Sequence, residues 1–475
     1  MMLISDAKVR KKIIRKQKMF GFSLGFHYLW LTPKILPFGK EKKKTPFSFA
    51  FRSLSRIFAP MNVKDFEIMA PVGSRESLAA AIKAGADSVY FGIGQLNMRS
   101  HSANHFTIDD LHEIAETCNN AGIKTYLTVN TIIYDGDIPT MHQIVDAARE
   151  AGITAVIACD IAVMQYCIER GVEVHLSTQL NISNVEALKF YAQFADVVVL
   201  ARELNLDQVA EIHRQIEEQQ IRGPRGELVR IEIFCHGALC MAVSGKCYMS
   251  LHDANRSANR GECIQICRRS YILTDAETGN EIEVDNKYLM SPKDLKTIRF
   301  IDRLMHAGVR VFKIEGRARG PEYVYTVVKC YKEAIEAVVT KQFSEERKDE
   351  WDQRLATVFN RGFWDGYYQG QRLGEWNKSY GSNATERKQL VGRVTKYFSR
   401  IGVAEVSVDA TTFQVGDRLF ISGPTTGALW VDVAEIHDND GNPTKIAQQH
   451  QLAAIPVPEK VRPNDKLFKI IKAES

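Results

Sequence analysis

Nine cysteines stand in this 475-residue chain, and four of them fall together as Cys240-x6-Cys247-x15-Cys263-x3-Cys267, with Cys235 just upstream. Thiolates are soft donors, and four in one stretch suit zinc or an iron–sulfur cluster. Structural zinc sites favour paired knuckles two to four residues wide, and only Cys263/Cys267 has that form. Wide, irregular loops suit a [4Fe–4S] cluster, whose irons take ligands from several directions. Zinc is the alternative, and free thiols the third reading. Lys246, Arg256, Arg260, Arg268 and Arg269 crowd the same stretch, and positive charge favours thiolates and offsets a cluster's negative charge. Cys118, Cys159, Cys167 and Cys330 sit in helix or strand patterns and read as core. Nine cysteines in so long a chain make no disulfide scaffold, which points to a reducing cytoplasm.

Such a stretch needs a frame. From Phe66 onward short β-branched runs alternate with amphipathic ones. The expected strands are Glu67–Val72, Ser88–Gly92, Lys124–Val129, Ala155–Cys159, Val172–Ser177, Asp196–Ala201, Arg230–Phe234 and Arg310–Ile314. Helical runs such as Ser74–Ala84, Ile108–Asn120 and Thr140–Ala151 lie between them, and glycines at 85, 122, 152, 171 and 308 hand helix to strand. This rhythm predicts an α/β fold, a (β/α)8 TIM-barrel-like domain with a Cys-rich insertion. A doubly wound open sheet is the alternative, but no Gly-x-Gly-x-x-Gly follows the first strand.

Barrel enzymes build their sites at the C-terminal ends of the strands. Arg202 and Arg317 fall there, after strands six and eight, with Lys313 and Glu315 beside them; Arg99 and Asn104 follow strand two. These are candidate substrate-binding cations, or else rim ion pairs with Glu203 or Glu315. Glu315 is a candidate general acid or base, or a group that orients Arg317 or Lys313. His175 and Gln179, flanking Ser177-Thr178, are expected at the same mouth. His236, near Cys240, is expected to hydrogen-bond a cluster sulfur or donate a proton. Phe363, Trp364, Tyr367 and Tyr368 read as a helix–barrel joint rather than a base-stacking platform.

Four regions follow: a basic leader over 1–60, a catalytic barrel over 61–345 with its insertion at 235–290, a helical and aromatic connector over 346–384, and a small all-β barrel from 385 to 475. The chain's net charge of +5 hides an asymmetry. Residues 1–60 hold 14 Lys/Arg and two acids, whereas 61–475 hold 48 and 55 and so carry −7. Any nucleic-acid surface on the body must therefore be a local patch. The apolar stretch Phe20–Leu31 is too short to span a bilayer, which needs roughly 20 residues. The leader is read as dispensable or mis-assigned, with the working start at Met61 and no membrane partner; a membrane-surface or RNA-touching tail and a targeting signal are the alternatives.

Several motifs together resemble the collagenase-like peptidase family of unclassified catalytic type, over about residues 66–470. They are His236-Gly-Ala-Leu-Cys240, Ser244-Gly-Lys-Cys247, Asn259-Arg-Gly-Glu-Cys263-x3-Cys267-Arg268, Met69-Ala-Pro-Val-Gly-Ser74, Gly85-Ala-Asp-Ser-Val-Tyr-Phe-Gly92, Leu200-Ala-Arg-Glu-Leu204, Lys313-Ile-Glu-Gly-Arg317 and Phe359-Asn-Arg-Gly-Phe363. The family is named for collagen cleavage, yet several members are oxygen-independent hydroxylases holding a [4Fe–4S] cluster. For this length and layout the resemblance implies hydroxylation of the tRNA wobble uridine to 5-hydroxyuridine. It further implies prephenate as oxygen source, the tRNA anticodon stem-loop as partner, and Cys240, Cys247, Cys263 and Cys267 as ligands. One departure stands out: many members carry a cysteine where this chain has Lys296. The runner-up is a peptidase acting on proteins. Against it, there is no His-Glu-x-x-His, since His112-Glu113 is followed by Glu116, and no Gly-x-Ser-x-Gly elbow. A base to be modified must be extruded into a pocket, and a dicarboxylate calls for arginines.

Overall fold

The eight expected runs become the staves of one ring. They are β1 (Glu67–Pro71), β2 (Ser88–Phe91), β3 (Lys124–Val129), β4 (Ala155–Ala158), β5 (Glu173–Leu176), β6 (Val197–Val199), β7 (Arg230–Gly237) and β8 (Val309–Ile314). Each pairs in parallel with the next in chain order, and β8 closes the ring on β1, with Glu67 opposite Val311. The computed structural model describes residues 61–100, 106–282, 290–371, 373–379 and 381–473, so the leader and Asn104 lie outside the described residues. The closed barrel, not the open sheet, is the fold.

The strands read as continuous apolar runs because ring interior and helix layer bury both faces; β1 and β2 are buried at every residue. The outer layer is α1 (Arg75–Ala84), α2 (Leu111–Asn120), α3 (Ile138–Glu150), α4 (Ile161–Glu169), α5 (Val185–Tyr191), α6 (Leu206–Gln219), α7 (Ile301–His306) and α8 (Pro321–Val339). In α6 the buried residues Leu206, Val209, Ile212 and Ile216 make one helical stripe, and an Asn205/Gln208 capping box fixes its start. The five glycines named above all adopt φ between 70° and 93°, so each helix ends in the left-handed turn that sends the chain back to the sheet.

The ring is filled, not hollow. Met69, Tyr90, Tyr126, Ile157, Val197 and Val311 form its apolar middle. Below them, at the N-terminal end, Glu67 accepts 2.6 Å from the Tyr126 hydroxyl and pairs with Lys124 at 3.0 Å and Arg230 at 3.3 Å. Burial alone would raise the Glu67 carboxyl, but Lys124, Arg230 and Tyr126 overcome that and hold it at about 2. An unfolded glutamate titrates near 4.3, so this network stabilises the fold above that pH and loses its contribution as pH falls toward 2. The slope of stability against pH in that window is therefore expected to be shallower by about one proton in Glu67→Gln. Urea unfolding across pH 2–5 measures it, and an unaltered slope would contradict the assignment.

Beyond α8, α9 (Glu345–Thr357) leads into the C-terminal strands β9 (Glu386–Phe398), β10 (Val403–Val408), β11 (Arg418–Ser422), β12 (Leu429–Asp432), β13 (Leu452–Pro456) and β14 (Lys466–Lys472). They form an antiparallel sheet curled around Val391, Val394, Val406, Leu419, Ile421 and Ile455. The expected barrel is a half-barrel: among the described residues no pairing joins the two edges of the sheet, Leu429–Asp432 on one side and Pro443–Thr444 on the other. Phe420, Trp430 and Phe468 seat the sheet on Ala80 of α1 and Tyr325 of α8. In the connector, the Trp364 indole donates to the Lys293 carbonyl at 3.1 Å and the Tyr368 hydroxyl to the Phe234 carbonyl at 2.9 Å, a packing joint.

Candidate active site at the barrel mouth

A cavity of about 220 Å³ opens at the C-terminal end of the ring. Strand residues Tyr90, Thr128, Phe234 and Lys313 and Ser177 just past β5 enter it from within, Arg99, Arg202, Glu315 and Arg317 from the rim, and Cys240, Cys247, Cys263 and Cys267 from the insertion. The insertion is tied across the mouth by short polar links. The Ile132 amide donates to the Asn259 carbonyl at 3.1 Å, and Arg260 donates to the Ile132 carbonyl at 2.7 Å while pairing with Asp137. Arg268 donates to the Pro292 carbonyl at 2.6 Å and to the Ser291 hydroxyl at 3.0 Å.

The charges sort into paired and unpaired. Lys313 meets Glu232 at 2.8 Å inside the ring. Glu315 meets Arg99 at 3.0 Å and accepts from the Tyr90 hydroxyl at 3.2 Å. Burial would raise the Glu315 carboxyl, but Arg99, Arg317 and Arg202 bring it down to about 2. At neutral pH it is therefore a carboxylate that orients cations and holds no proton to give. Arg202 stacks on Phe234 at 4.0 Å and reaches only the Ala238 carbonyl, at 3.4 Å. Arg317 donates to the Thr128 hydroxyl at 2.8 Å and to the Asn97 carboxamide oxygen at 3.4 Å. Neither has a carboxylate partner among the described residues, and the Nε of each is buried without an acceptor. The rim ion pair with Glu203 or Glu315 is thus not formed by either arginine. Gly73 packs so closely on the Arg317 carbonyl that any Cβ there would collide with it. That contact fixes the loop carrying Arg317.

The two histidines are not at the mouth. His175 does face the ring interior, but two residues below Ser177, which puts it roughly 7 Å deeper. Its Nε2 lies 3.1 Å from Glu173 and its ring 4.4 Å from Tyr126, with 1% of the residue exposed. His236 faces the wrong way because β7 bulges: Phe234 pairs with Lys313 and His236 with Ile314, so Cys235 is skipped and the alternation reverses. The His236 ring packs outside the barrel among Tyr323, Tyr331 and Phe363, and burial pushes it down to about 3, so it is neutral. Lys296 also points outward, to Asp352 at 2.7 Å and the Phe363 ring at 4.7 Å. Gln179 does reach the cavity, where Asn130 donates to it at 3.4 Å and to the Ser177 hydroxyl at 3.1 Å. Asn130 and Thr128 went unmarked in the sequence, although their two-residue spacing from Tyr126 at the end of a barrel strand aims all three inward.

Among the described residues no three His, Cys, Asp or Glu side chains converge tightly enough to hold a single metal ion. The four thiols instead line one wall of the cavity, Cys240 and Cys263 exposed, Cys247 and Cys267 half-buried. Burial raises the Cys267 thiol, Arg268 opposes that, and Cys240, Cys263 and Cys247 raise it further, which marks the four as electrostatic neighbours. They are the side chains able to hold a thiolate-bound group here.

The model of the family described as peptidase family U32 matches residues 73–378, the ring from its second strand onward together with the insertion. The chain belongs to peptidase family U32. A collagenase of Porphyromonas gingivalis is 63% identical to it over 414 residues, 87% of this chain and 100% of that protein. The tRNA hydroxylation protein P1 of Bacillus subtilis is 31% identical over 412 residues, 85% of this chain and 94% of that one. The 23S rRNA 5-hydroxycytidine synthase of Escherichia coli is 35% identical over 277 residues, 58% of this chain and 40% of that one. This chain of family U32 is an enzyme, related both to proteins named for RNA hydroxylation and, at higher identity, to proteins named collagenase. No helix among its described residues is long and apolar enough to cross a membrane.

Proposed function

We propose that this enzyme acts in the cytoplasm on tRNA, hydroxylating the wobble uridine to 5-hydroxyuridine without molecular oxygen, with prephenate as oxygen source. The observation that carries the reading is the pair of guanidiniums, Arg202 and Arg317, which enter the cavity from the strand ends without a carboxylate partner among the described residues and with the Nε of each buried without an acceptor. Surplus positive charge in a recess calls for an anion, two guanidiniums at the strand ends suit a dianion, and a guanidinium's fork suits a carboxylate. A [4Fe–4S] cluster would be held by Cys240, Cys247, Cys263 and Cys267, and when bound it supplies electron transfer beside the substrate. Soft donors facing a common space beside Arg99 and Arg268 fit such a group better than one zinc ion. The rest of the cavity positions: Glu315 holds Arg99, Thr128 steadies Arg317, and Asn130 with Gln179 presents amide groups suited to a uracil edge.

Proteolysis, the activity in the name of the 63%-identical relative, is the second reading. The cavity offers it little: Ser177 leans on Gln179 and Asn130, and both nearby histidines are turned away or sunk below. Mass spectrometry of tRNA nucleosides from a deletion strain decides between them. We expect 5-hydroxyuridine derivatives to vanish, to return with the wild-type gene, and to stay at background with Cys263→Ala. An unchanged nucleoside profile, together with peptide hydrolysis by the pure protein, would overturn the RNA reading.

A further inference from the structure

A second, larger recess of about 840 Å³ runs between the barrel rim and the C-terminal sheet. Arg317 and Arg319 line both it and the mouth cavity, so whatever lies in the cleft is continuous with what sits in the mouth. Five cations face the cleft, Arg75, Arg317, Arg319, Lys388 and Lys466, against two carboxylates, Glu76 and Asp110. This is a local basic patch on an acidic body.

Some of that charge is already matched. Arg75 pairs with Asp110 at 2.7 Å and also with Glu113, and Lys388 pairs with Glu322 at 2.7 Å. Arg319 and Lys466 have no carboxylate partner among the described residues; the Arg319 guanidinium lies 3.4 Å over the Phe359 ring. Burial, with Arg361 adding to it, brings Arg319 down to about 10, the mark of a cation held where its own charge is unwelcome. An anion beside it would relieve that. The cleft also borders the first turns of α1 and α8, helices of 10 and 19 residues whose positive dipole ends add to the same field.

We propose that this cleft is the seat of the RNA backbone, with the phosphates that flank the target nucleoside resting on Arg319 of the barrel and Lys466 of the C-terminal sheet. The inference rests on the RNA reading above and deepens it. The base enters the mouth past Arg317, and its neighbours' phosphodiesters lie along the cleft. Phosphate contacts of this kind set register and orientation rather than sequence. The C-terminal sheet is then one wall of the substrate groove, not an appendage.

The test is fluorescence anisotropy with the full chain and a labelled anticodon stem-loop RNA, over a range of salt concentrations. Lys466 is exposed on β14, so its replacement leaves the core intact. Lys466→Glu is expected to weaken binding about tenfold or more, and Lys466→Ala to lower the slope of log Kd against log salt by about one. Lys445→Glu, an equal charge change on an exposed residue of the same sheet domain outside the cleft, is the control and should leave Kd within twofold, roughly the scale of general charge effects. Equal effects at 466 and 445, or none at either while the wild type binds RNA, would overturn the cleft and leave the RNA reading standing. A wild-type chain that binds no RNA at any salt would overturn the RNA reading itself, and the cleft with it.

Discussion

Lys313→Met is expected to destabilise the fold by about 3–5 kcal/mol, the usual cost of removing one partner of a buried ion pair. Glu232 is wholly buried and Lys313 is 5% exposed. One oxygen of Glu232 meets the Lys313 ammonium at 2.8 Å, and the other has no hydrogen-bond partner among the described residues. Methionine would keep the volume and the contact with Tyr90, but it would leave a carboxylate alone in the ring. That penalty is nearly independent of salt, because solvent ions cannot reach the pair. Glu232→Gln alone strands the ammonium and should cost a similar amount. The double variant removes both charges and should recover most of the loss, so the two single effects do not add. Chemical unfolding of the four proteins measures this; additive losses would mean the pair is not coupled as drawn.

How much of this was legible in the residues depends on what kind of information a residue pattern carries. Seven of the eight barrel strands fall within a residue or two of their expected places, because a strand buried on both faces is a short apolar run; β7 runs three residues further, to Gly237, because the ends of such a run are less marked. A period of two tells which face a side chain takes, not how deep it lies. His175 therefore shared its face with Ser177 as expected and still ended one layer beneath the cavity. A bulge breaks the period without leaving a mark in the sequence, and the one at Cys235 turned His236 outward. The strand Leu452–Pro456 went unseen because two alanines and a proline among five residues give a weak β signal, although Ala453 and Ile455 are its buried face. Closure of the C-terminal sheet depends on edge pairings between distant segments, and nothing local encodes those. Arg202, Arg317, Arg99, Lys313, Glu315 and the four cysteines of the insertion were marked by their position at strand ends or by their spacing, and these the fold gathers around one cavity.

For the two arginines the expected effect is on binding rather than stability. A charge-assisted hydrogen bond contributes roughly 1.5–3 kcal/mol, so Arg202→Met and Arg317→Met should each raise KM for a dicarboxylate about tenfold to a hundredfold. kcat at saturation should change less, since neither side chain is asked to move a proton. Arg317→Met also breaks the 2.8 Å bond to Thr128, so its effect should be the larger. Arg317→Lys restores the charge but not the fork and should recover only part of the loss. The double variant separates two geometries. If each arginine holds its own carboxylate, the losses add, to about 10²–10⁴-fold. If both grip one carboxylate, the second substitution costs little after the first. A monocarboxylate analogue gives the complementary result: in the first geometry it responds to one arginine only, in the second to both. Calorimetric titration of prephenate and of the analogue into the four proteins distinguishes these cases. Affinities untouched by either substitution would show that the surplus charge at the mouth serves another anion.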